Sequence, residues 1–409
     1  MSCALGGRKM VAEIVCLGCG APLQSTDEDK PGYVPESAVG KPDVLCRRCF
    51  RIRHYGEFLP VTVDESTYQA QVAQIFERPG LVLYVVDVFD LAGSLVPNLA
   101  RFVLNSEVVV VVNKVDLLPE RVQYTRLADW IREQVERTRV PVSDVLFVSA
   151  EKQLGIEQVL GLVEWETERP VYVVGMANTG KSTLLNAIAG RLSDKKAPYT
   201  VSRRPGTTLA LSRLEITGRH GRIELYDTPG LVHEARVIER LCVDCLRIVV
   251  PQSRLRPRVY QLNPEQTLFL GGIVRLDFER GDRQPIVLYV ANDLPVHRTK
   301  LSRADEIWER HQDDILQVPC AACRPDFANR RSIRLQRVRR GEPSARGSLA
   351  ISGRGSDIVI PGLGWIALSG RPFDGELSVP AWLRPSLRPR LVGDLSRRME
   401  ADAQRGEER

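Results

Sequence analysis

A chain of 409 residues is too long for one ordinary hydrophobic core, so two or three domains are expected. Its 43% hydrophobic and 26% charged residues are the shares of a soluble globular protein. The most apolar runs, 81–86 and 108–112, are strand-sized and exclude a membrane span. No stretch near the start has the sustained apolar core of a signal peptide, so a cytoplasmic location is expected.

The net charge of +6 is unevenly held. From Arg324 onward 17 Arg face 10 Asp and Glu, whereas the first 323 residues carry 40 basic against 41 acidic side chains. Guanidinium forks suit phosphates and stack on bases, which points to RNA. A solvated arginine-rich surface is the alternative.

Eight of the nine cysteines fall into four Cys-x-x-Cys pairs. In a cytosolic chain that spacing argues for metal or redox chemistry rather than structural disulfides. Cys16 and Cys19 with Cys46 and Cys49 make two knuckles, 26 residues apart, that can close one tetrahedral Zn²⁺ site. The basic, aromatic stretch from Phe50 to Tyr55 follows; it suits either RNA contact or packing of the zinc module.

Residues 80–87 read as a strand, and 107–112 as a second, β-branched and buried one. The second runs into Asn113-Lys114-Val115-Asp116, a pattern suited to guanine. The Asp116 carboxylate accepts from guanine N1–H and N2–H₂, which adenine does not offer in that arrangement. Asn113 can bond N7 and tie neighbouring loops together, with the Lys114 stem along the base. Residues 119–138 alternate apolar and charged positions at helical spacing, including Leu127, Trp130, Ile131 and Val135. The next strand, 144–148, ends in Ser149-Ala150, whose backbone N–H would cover guanine O6.

The apolar run 171–174 leads into Gly175-Met176-Ala177-Asn178-Thr179-Gly180-Lys181-Ser182, and Thr183 opens a helical stretch. Strand, glycine-bounded loop and Lys-Ser at a helix start form the P-loop pattern, whose backbone N–H groups face a polyphosphate. Lys181 would reach the β- and γ-phosphates and Ser182 would ligate Mg²⁺. After a polar loop, Thr208, or alternatively Thr207, is the candidate residue sensing Mg²⁺ and γ-phosphate. A hairpin over 211–217 and 222–226 is expected to end in Asp227-Thr228-Pro229-Gly230. There Asp227 would stand behind the Mg²⁺ waters and Gly230 N–H would meet the γ-phosphate, so loss of that phosphate releases both switches. Beyond 251, short apolar strands at 266–270, 286–290, 357–360 and 364–368 predict a β-rich domain.

In ordinary GTPases the phosphate motifs come first and the base readers last; here that order is inverted, a circular permutation. The chain resembles the YqeH-type circularly permuted GTPases over nearly its whole length. The likeness rests on Cys46-Arg47-Arg48-Cys49-Phe50-Arg51, Val86-Asp87-Val88-Phe89-Asp90, Pro205-Gly206-Thr207-Thr208 and His297-Arg298-Thr299-Lys300. The expected architecture is a zinc module over 1–60, a permuted α/β P-loop GTPase domain with a doubly wound sheet over 61–250, and a β-rich, Arg-rich domain over 251–409. The resemblance implies a cytoplasmic GTPase that assists assembly of the small ribosomal subunit and touches its rRNA; a monomer without membrane contact is expected. Cys242-x-x-Cys245 and Cys320-x-x-Cys323 depart from the family, and a second Zn²⁺ site, a dithiol switch and no shared role all stay open.

Many GTPases orient the attacking water with a Gln after Asp-x-x-Gly. Leu231 holds that place here, so slow intrinsic hydrolysis is expected; His233 reads as a surface histidine. Asn178 resembles the asparagine that holds potassium in related GTPases, implying K⁺ stimulation. The alternative function is an RNA- or protein-binding scaffold with a structural, nearly inactive GTP site.

Overall fold

The computed structural model describes residues 14–16, 21–28, 30, 32–38, 44–47, 49–51, 62–63, 65–119, 122, 124–192, 211–217, 220–231, 235–337, 348–351, 356–368, 371 and 373–392. Two compact units divide the chain. One comprises residues 1–85, 96–113 and 135–232; the other comprises 86–95, 114–134 and 233–409.

In chain order the strands up to residue 231 are β1 (Thr62–Val63), β2 (Leu81–Asp87), β3 (Glu107–Asn113), β4 (Asp144–Phe147), β5 (Val171–Val174), β6 (Ser212–Thr217), β7 (Arg222–Asp227) and β8 (Gly230–Leu231). Six of them form a sheet in the order β4-β3-β2-β5-β7-β6. β3 with β4, β2 with β5, and β5 with β7 run parallel, while β6 lies antiparallel along the edge. β2 and β5 are buried at every position, as expected of parallel strands covered on both faces. Edge-ward, β7 alternates exposed and buried residues, the period of a strand with one wet face.

The helices bury single stripes. Leu127, Ile131 and Val135 on the helix Tyr124–Glu136 are at most 1% exposed, which is the face predicted for 119–138. Ile156, Val159, Leu160 and Val163 do the same on Ile156–Val163. Leu184, Leu185 and Ile188 carry the helix Lys181–Leu192 into the core under β5 and β7. Sheet order and chain order together bear out the permutation. The sheet's central pair is β2 and β5, and the chain reaches β2, β3 and β4 before it makes the loop-bearing strand β5.

The second unit holds β9 (Arg258–Leu262), β10 (Gln266–Leu270), β11 (Val274–Gly281), β12 (Gln284–Val290), β13 (Val296–Lys300), β14 (Arg330–Arg337), β15 (Ser348–Ile351), β16 (Ser356–Ile360), β17 (Gly364–Leu368), β18 (Phe373–Pro380) and β19 (Ser386–Pro389). They make a six-stranded sheet, β13-β10-β11-β18-β14-β15, and a five-stranded one, β19-β16-β17-β12-β9. Pairing is antiparallel except between β14 and β15. Leu268, Leu276 and Phe278 of one sheet and Ile286, Leu288 and Ile366 of the other share one core. The predicted β-rich character is borne out, with many more strands than the four expected.

Candidate nucleotide-binding site

β5 ends at Val174, and the helix begins at Lys181, so the predicted P-loop spans strand to helix as expected. Asn178 and Gly180 sit in the left-handed region at φ 63° and 88°. A Cβ at Gly180 would meet Asn113 Nδ2 at 2.2 Å, so only glycine fits both the turn and the close approach. The Thr179 hydroxyl, wholly buried, donates to Met176 O at 2.9 Å. Lys181 Nζ donates to Gly175 O at 2.9 Å and to Met176 O at 2.8 Å, folding the 6%-exposed ammonium over the loop's own backbone. Ser182 is half-buried and Thr183 exposed in the first turn of the helix, and Asn178 is exposed.

Asn113 closes β3 and is 3% exposed. Its amide Nδ2 donates to Thr179 O at 2.9 Å, and its Oδ1 accepts from Ala150 N at 3.0 Å. One side chain thus joins the end of β3, the P-loop and the Ser149-Ala150 turn. That turn is closed by reciprocal 3.0 Å backbone bonds between Ser149 and Leu154, and the buried Ser149 Oγ accepts from Lys152 N at 3.1 Å. Lys114, at φ 65°, lies 2.5 Å from Asp87 Oδ2 through its ammonium. The buried Asp87 also accepts from Phe89 N at 2.9 Å. Asp116 is half-buried in the single 3₁₀ turn Val115–Leu117.

Asp227 ends β7 and is 2% exposed. The next hydroxyl, Thr228 Oγ1, donates to Val173 O at 2.9 Å and fixes the exit from the strand against β5. Gly230 lies so near the P-loop that a Cβ would meet Ala177 Cα at 2.8 Å. Ala177 N donates to Leu231 O at 2.8 Å, so the Asp-x-x-Gly segment is bonded to the P-loop backbone itself. Leu231 is 3% exposed, an apolar side chain in the core rather than a water-orienting one. Thr207, Thr208 and His233 lie outside the described residues.

One neighbour of the site was missed in the sequence. Tyr68, on the helix Glu65–Glu77, is buried beside Thr228, Gly175 and the Asp227 carboxylate, and burial holds its phenol far above the ordinary range. The spacing of Tyr68, Val72 and Ile75 was the available signal, since these three are buried apolar residues on one stripe of the helix.

At the N-terminus the sulfurs of Cys16, Cys46 and Cys49 lie within 4.8 Å of one another, and Cys46 N donates to Cys16 Sγ at 3.1 Å. A three-thiol set with a fourth cysteine nearby in sequence has the donor chemistry of structural zinc. The fourth predicted ligand, Cys19, lies outside the described residues. At the P-loop, a hydroxyl (Ser182) and a carboxylate (Asp227) are hard oxygen donors of the type Mg²⁺ takes.

Comparison with known proteins bears on two stretches of the chain and on its length as a whole. A family model described as "50S ribosome-binding GTPase" matches residues 170–267. A second, described as "YqeH-like, C-terminal", matches 283–391. Over 371 residues the chain is 34% identical to the uncharacterized protein YqeH of Bacillus subtilis, covering 90% of this chain and 96% of that protein. The chain belongs to the YqeH family. Mouse nitric oxide-associated protein 1 is 27% identical over 87% of this chain and 71% of its own. GTPase Der of Clostridium perfringens is 26% identical over about half of each chain, 52% and 47%. Membership in the YqeH family makes the chain a P-loop GTPase, with GTP as its nucleotide and Mg²⁺ as the accompanying ion. Among the described residues, no helix is long and apolar enough to cross a membrane.

The arginines that suggested RNA binding are partly spent within the fold. Arg324 pairs with Asp313, Arg334 grips Glu279 with both terminal nitrogens, and Arg388 pairs with the fully buried Asp357. Arg330, Arg331 and Arg384 donate to backbone carbonyls of the same unit.

Proposed function

We propose that this chain is a GTP-switched assembly factor of the small ribosomal subunit, cytoplasmic and monomeric, acting through contact with rRNA. The observation that carries the GTP site is Asn113, whose one amide ties together three motifs far apart in sequence. In this reading Asp116 reads guanine N1–H and N2–H₂, Lys114 supports the base plane, and Ser149-Ala150 covers O6. The N–H groups of Gly175 to Thr183 cradle the phosphates, with Lys181 leaving its loop carbonyls for the β- and γ-phosphates. Ser182, Thr208 and Asp227 hold or back Mg²⁺, and Thr208 (with Thr207 as the alternative) and Gly230 sense the γ-phosphate. The ion, when bound, neutralises charge developing on the transferred phosphoryl group. The parts are a zinc module over 1–60 closed by Cys16, Cys19, Cys46 and Cys49, the GTPase domain over 61–250, and the β-rich domain over 251–409.

Buried, apolar Leu231 supports slow intrinsic turnover, because that position offers water no hydrogen bond. Help is assigned to K⁺ held at Asn178 and to the ribosomal subunit. With Arg324, Arg330, Arg331, Arg334, Arg371, Arg384 and Arg388 engaged within the unit, RNA contact is assigned to the zinc module, where Phe50 is 44% exposed beside exposed Arg51, and to the Arg-rich C-terminal part. The same Leu231 favours a second reading, a scaffold whose GTP site scarcely turns over.

Single-turnover GTP hydrolysis with and without small subunits separates the two: acceleration by subunits is expected, and none would leave the scaffold. Co-sedimentation with subunits should be stronger with a GTP analogue than with GDP and should weaken steeply with salt.

A further inference from the structure

The second unit gathers four thiols that the nucleotide site does not use. Cys242 immediately precedes the helix Val243–Val249, which contains Cys245; Cys320 and Cys323 close the turn before the helix Arg324–Ala328. All four sulfurs lie within 4.8 Å of one another. Cys320 Sγ is 3.7 Å from Cys242 Sγ and 3.7 Å from Cys323 Sγ. A disulfide would need about 2.0 Å, and all four are free. Four thiolates about 2.3 Å from one ion stand roughly 3.8 Å apart along the edges of a tetrahedron, which is the spacing seen.

The two knuckles also exchange backbone donors. Cys242 N donates to Cys323 Sγ at 3.1 Å, and Cys320 N donates to Cys245 Sγ at 3.3 Å. N–H groups aimed at sulfur favour the anionic thiolate that a metal requires. Cys245 and Cys323 are packed into the core of the β-rich unit, while Cys242 and Cys320 lie at its margin. Among the described residues each pair sits on a short helix or turn, and not at the start of a βαβ unit as a thioredoxin-like redox motif would.

We propose that Cys242, Cys245, Cys320 and Cys323 bind a second, structural Zn²⁺. The set is complete with four protein sulfurs and leaves no position for water, so the ion would be a staple rather than a catalyst. What it staples is specific. Residues 242–249 follow the Asp-x-x-Gly motif by a dozen positions, and the ion fixes them to a turn 75 residues and more further on. Arg240, stacked 4.8 Å over the Trp382 ring, and Trp382 Nε1, donating to Asp326 O at 2.8 Å, hold the same junction beside the sulfurs.

The test is zinc itself, measured per mole of full-length protein by elemental analysis. The double variant Cys242→Ser/Cys320→Ser should carry one equivalent less than the parent, whatever the N-terminal knuckles hold. A Cys16→Ser/Cys49→Ser variant should lose its own equivalent independently, which separates failure of this site from failure of the N-terminal one. Zinc content unchanged in Cys242→Ser/Cys320→Ser would overturn the proposal. Should that variant not fold, the parent chain decides: with zinc, the partly exposed Cys242 and Cys320 should resist iodoacetamide until a chelator is added. Labelling at the rate of a free thiol before chelation, or recovery of a Cys242–Cys320 disulfide by peptide mapping, would equally overturn it.

Discussion

The Asn113 amide donates to the Thr179 carbonyl at 2.9 Å across a sequence separation of 66 residues. Its other end accepts from Ala150 N. Asn113→Ala removes both partners at once and leaves a buried N–H and a buried carbonyl unsatisfied, at about 1–3 kcal/mol each. Nucleotide affinity should fall at least ~10-fold, read with a fluorescent GDP analogue, and the melting temperature should drop with it. Asn113→Asp keeps an acceptor for Ala150 but sets a buried carboxylate oxygen against the Thr179 carbonyl, so it should lose at least as much affinity as Asn113→Ala. Wild-type affinity in Asn113→Ala would show that the tie does not hold the site.

Base choice is assigned to one carboxylate. Asp116→Asn replaces an acceptor for two guanine donors with an amide, losing about 3 kcal/mol or roughly 100-fold in GTP affinity. The amide N–H suits the 2-carbonyl of xanthine, so the variant should gain relative affinity for xanthosine triphosphate. Competition binding with GTP, XTP and ATP reads this directly, and an unchanged order of preference would remove Asp116 from the base.

Asn178 stands exposed at a left-handed turn in the middle of the phosphate loop. If it holds K⁺, replacing Na⁺ by K⁺ should raise the hydrolysis rate of the parent severalfold and leave Asn178→Ala unmoved. Because alanine lacks the tolerance of asparagine for φ 63°, thermal stability should fall by about 1 kcal/mol whatever Asn178 binds, so the readout is the K⁺-to-Na⁺ ratio of rates within each protein. Equal rates of parent and variant in potassium would end the assignment.

Arg236 and Asp90, 1% and 2% exposed, form a 2.9 Å ion pair between the segment after Asp-x-x-Gly and the segment after β2. Asp90 also caps a one-turn helix by accepting from Gly93 N at 3.1 Å, and Arg236 reaches Glu239 at 3.2 Å. Arg236→Met leaves a buried carboxylate without its cation and should cost about 3–5 kcal/mol. Adding Asp90→Asn should recover part of that loss, so the two changes together cost less than their sum. Strict additivity in thermal unfolding would show that the pair is not coupled.

Much of the nucleotide domain is legible because its signals are local and doubled. Five successive valines before Asn113 announce a strand buried on both faces, and Gly180 is followed at once by the lysine and serine that open a helix. The helix Glu65–Glu77 is hard to read in the sequence because its buried apolar residues Tyr68, Val72 and Ile75 are diluted by polar ones, the buried Gln71 among them, and by Phe76, which is 50% exposed. In the β-rich unit, fully apolar runs such as Gly364–Leu368 could be read, whereas β11, β14 and β18 interleave Arg, Asp, Glu and Ser with their core residues. Their charged members look like loop residues until cross-strand partners are known, as with Arg334 and Glu279. The same long-range logic hid the pairings of Lys114 with Asp87 and Arg236 with Asp90, since nothing in a linear pattern says which charges will meet.

β1 pairs in parallel with β8, Thr62 opposite Gly230 and Val63 opposite Leu231. The short strand that follows the Cys46–Cys49 knuckle in sequence is therefore paired with the stretch to which the proposed function assigns contact with the terminal phosphate. Permutation is usually thought of as relocating the free ends of a domain. Here it leaves Gly230 facing Thr62, so that, with Gly230 meeting the terminal phosphate as proposed, its movement on hydrolysis would reach the strand Thr62–Val63 directly.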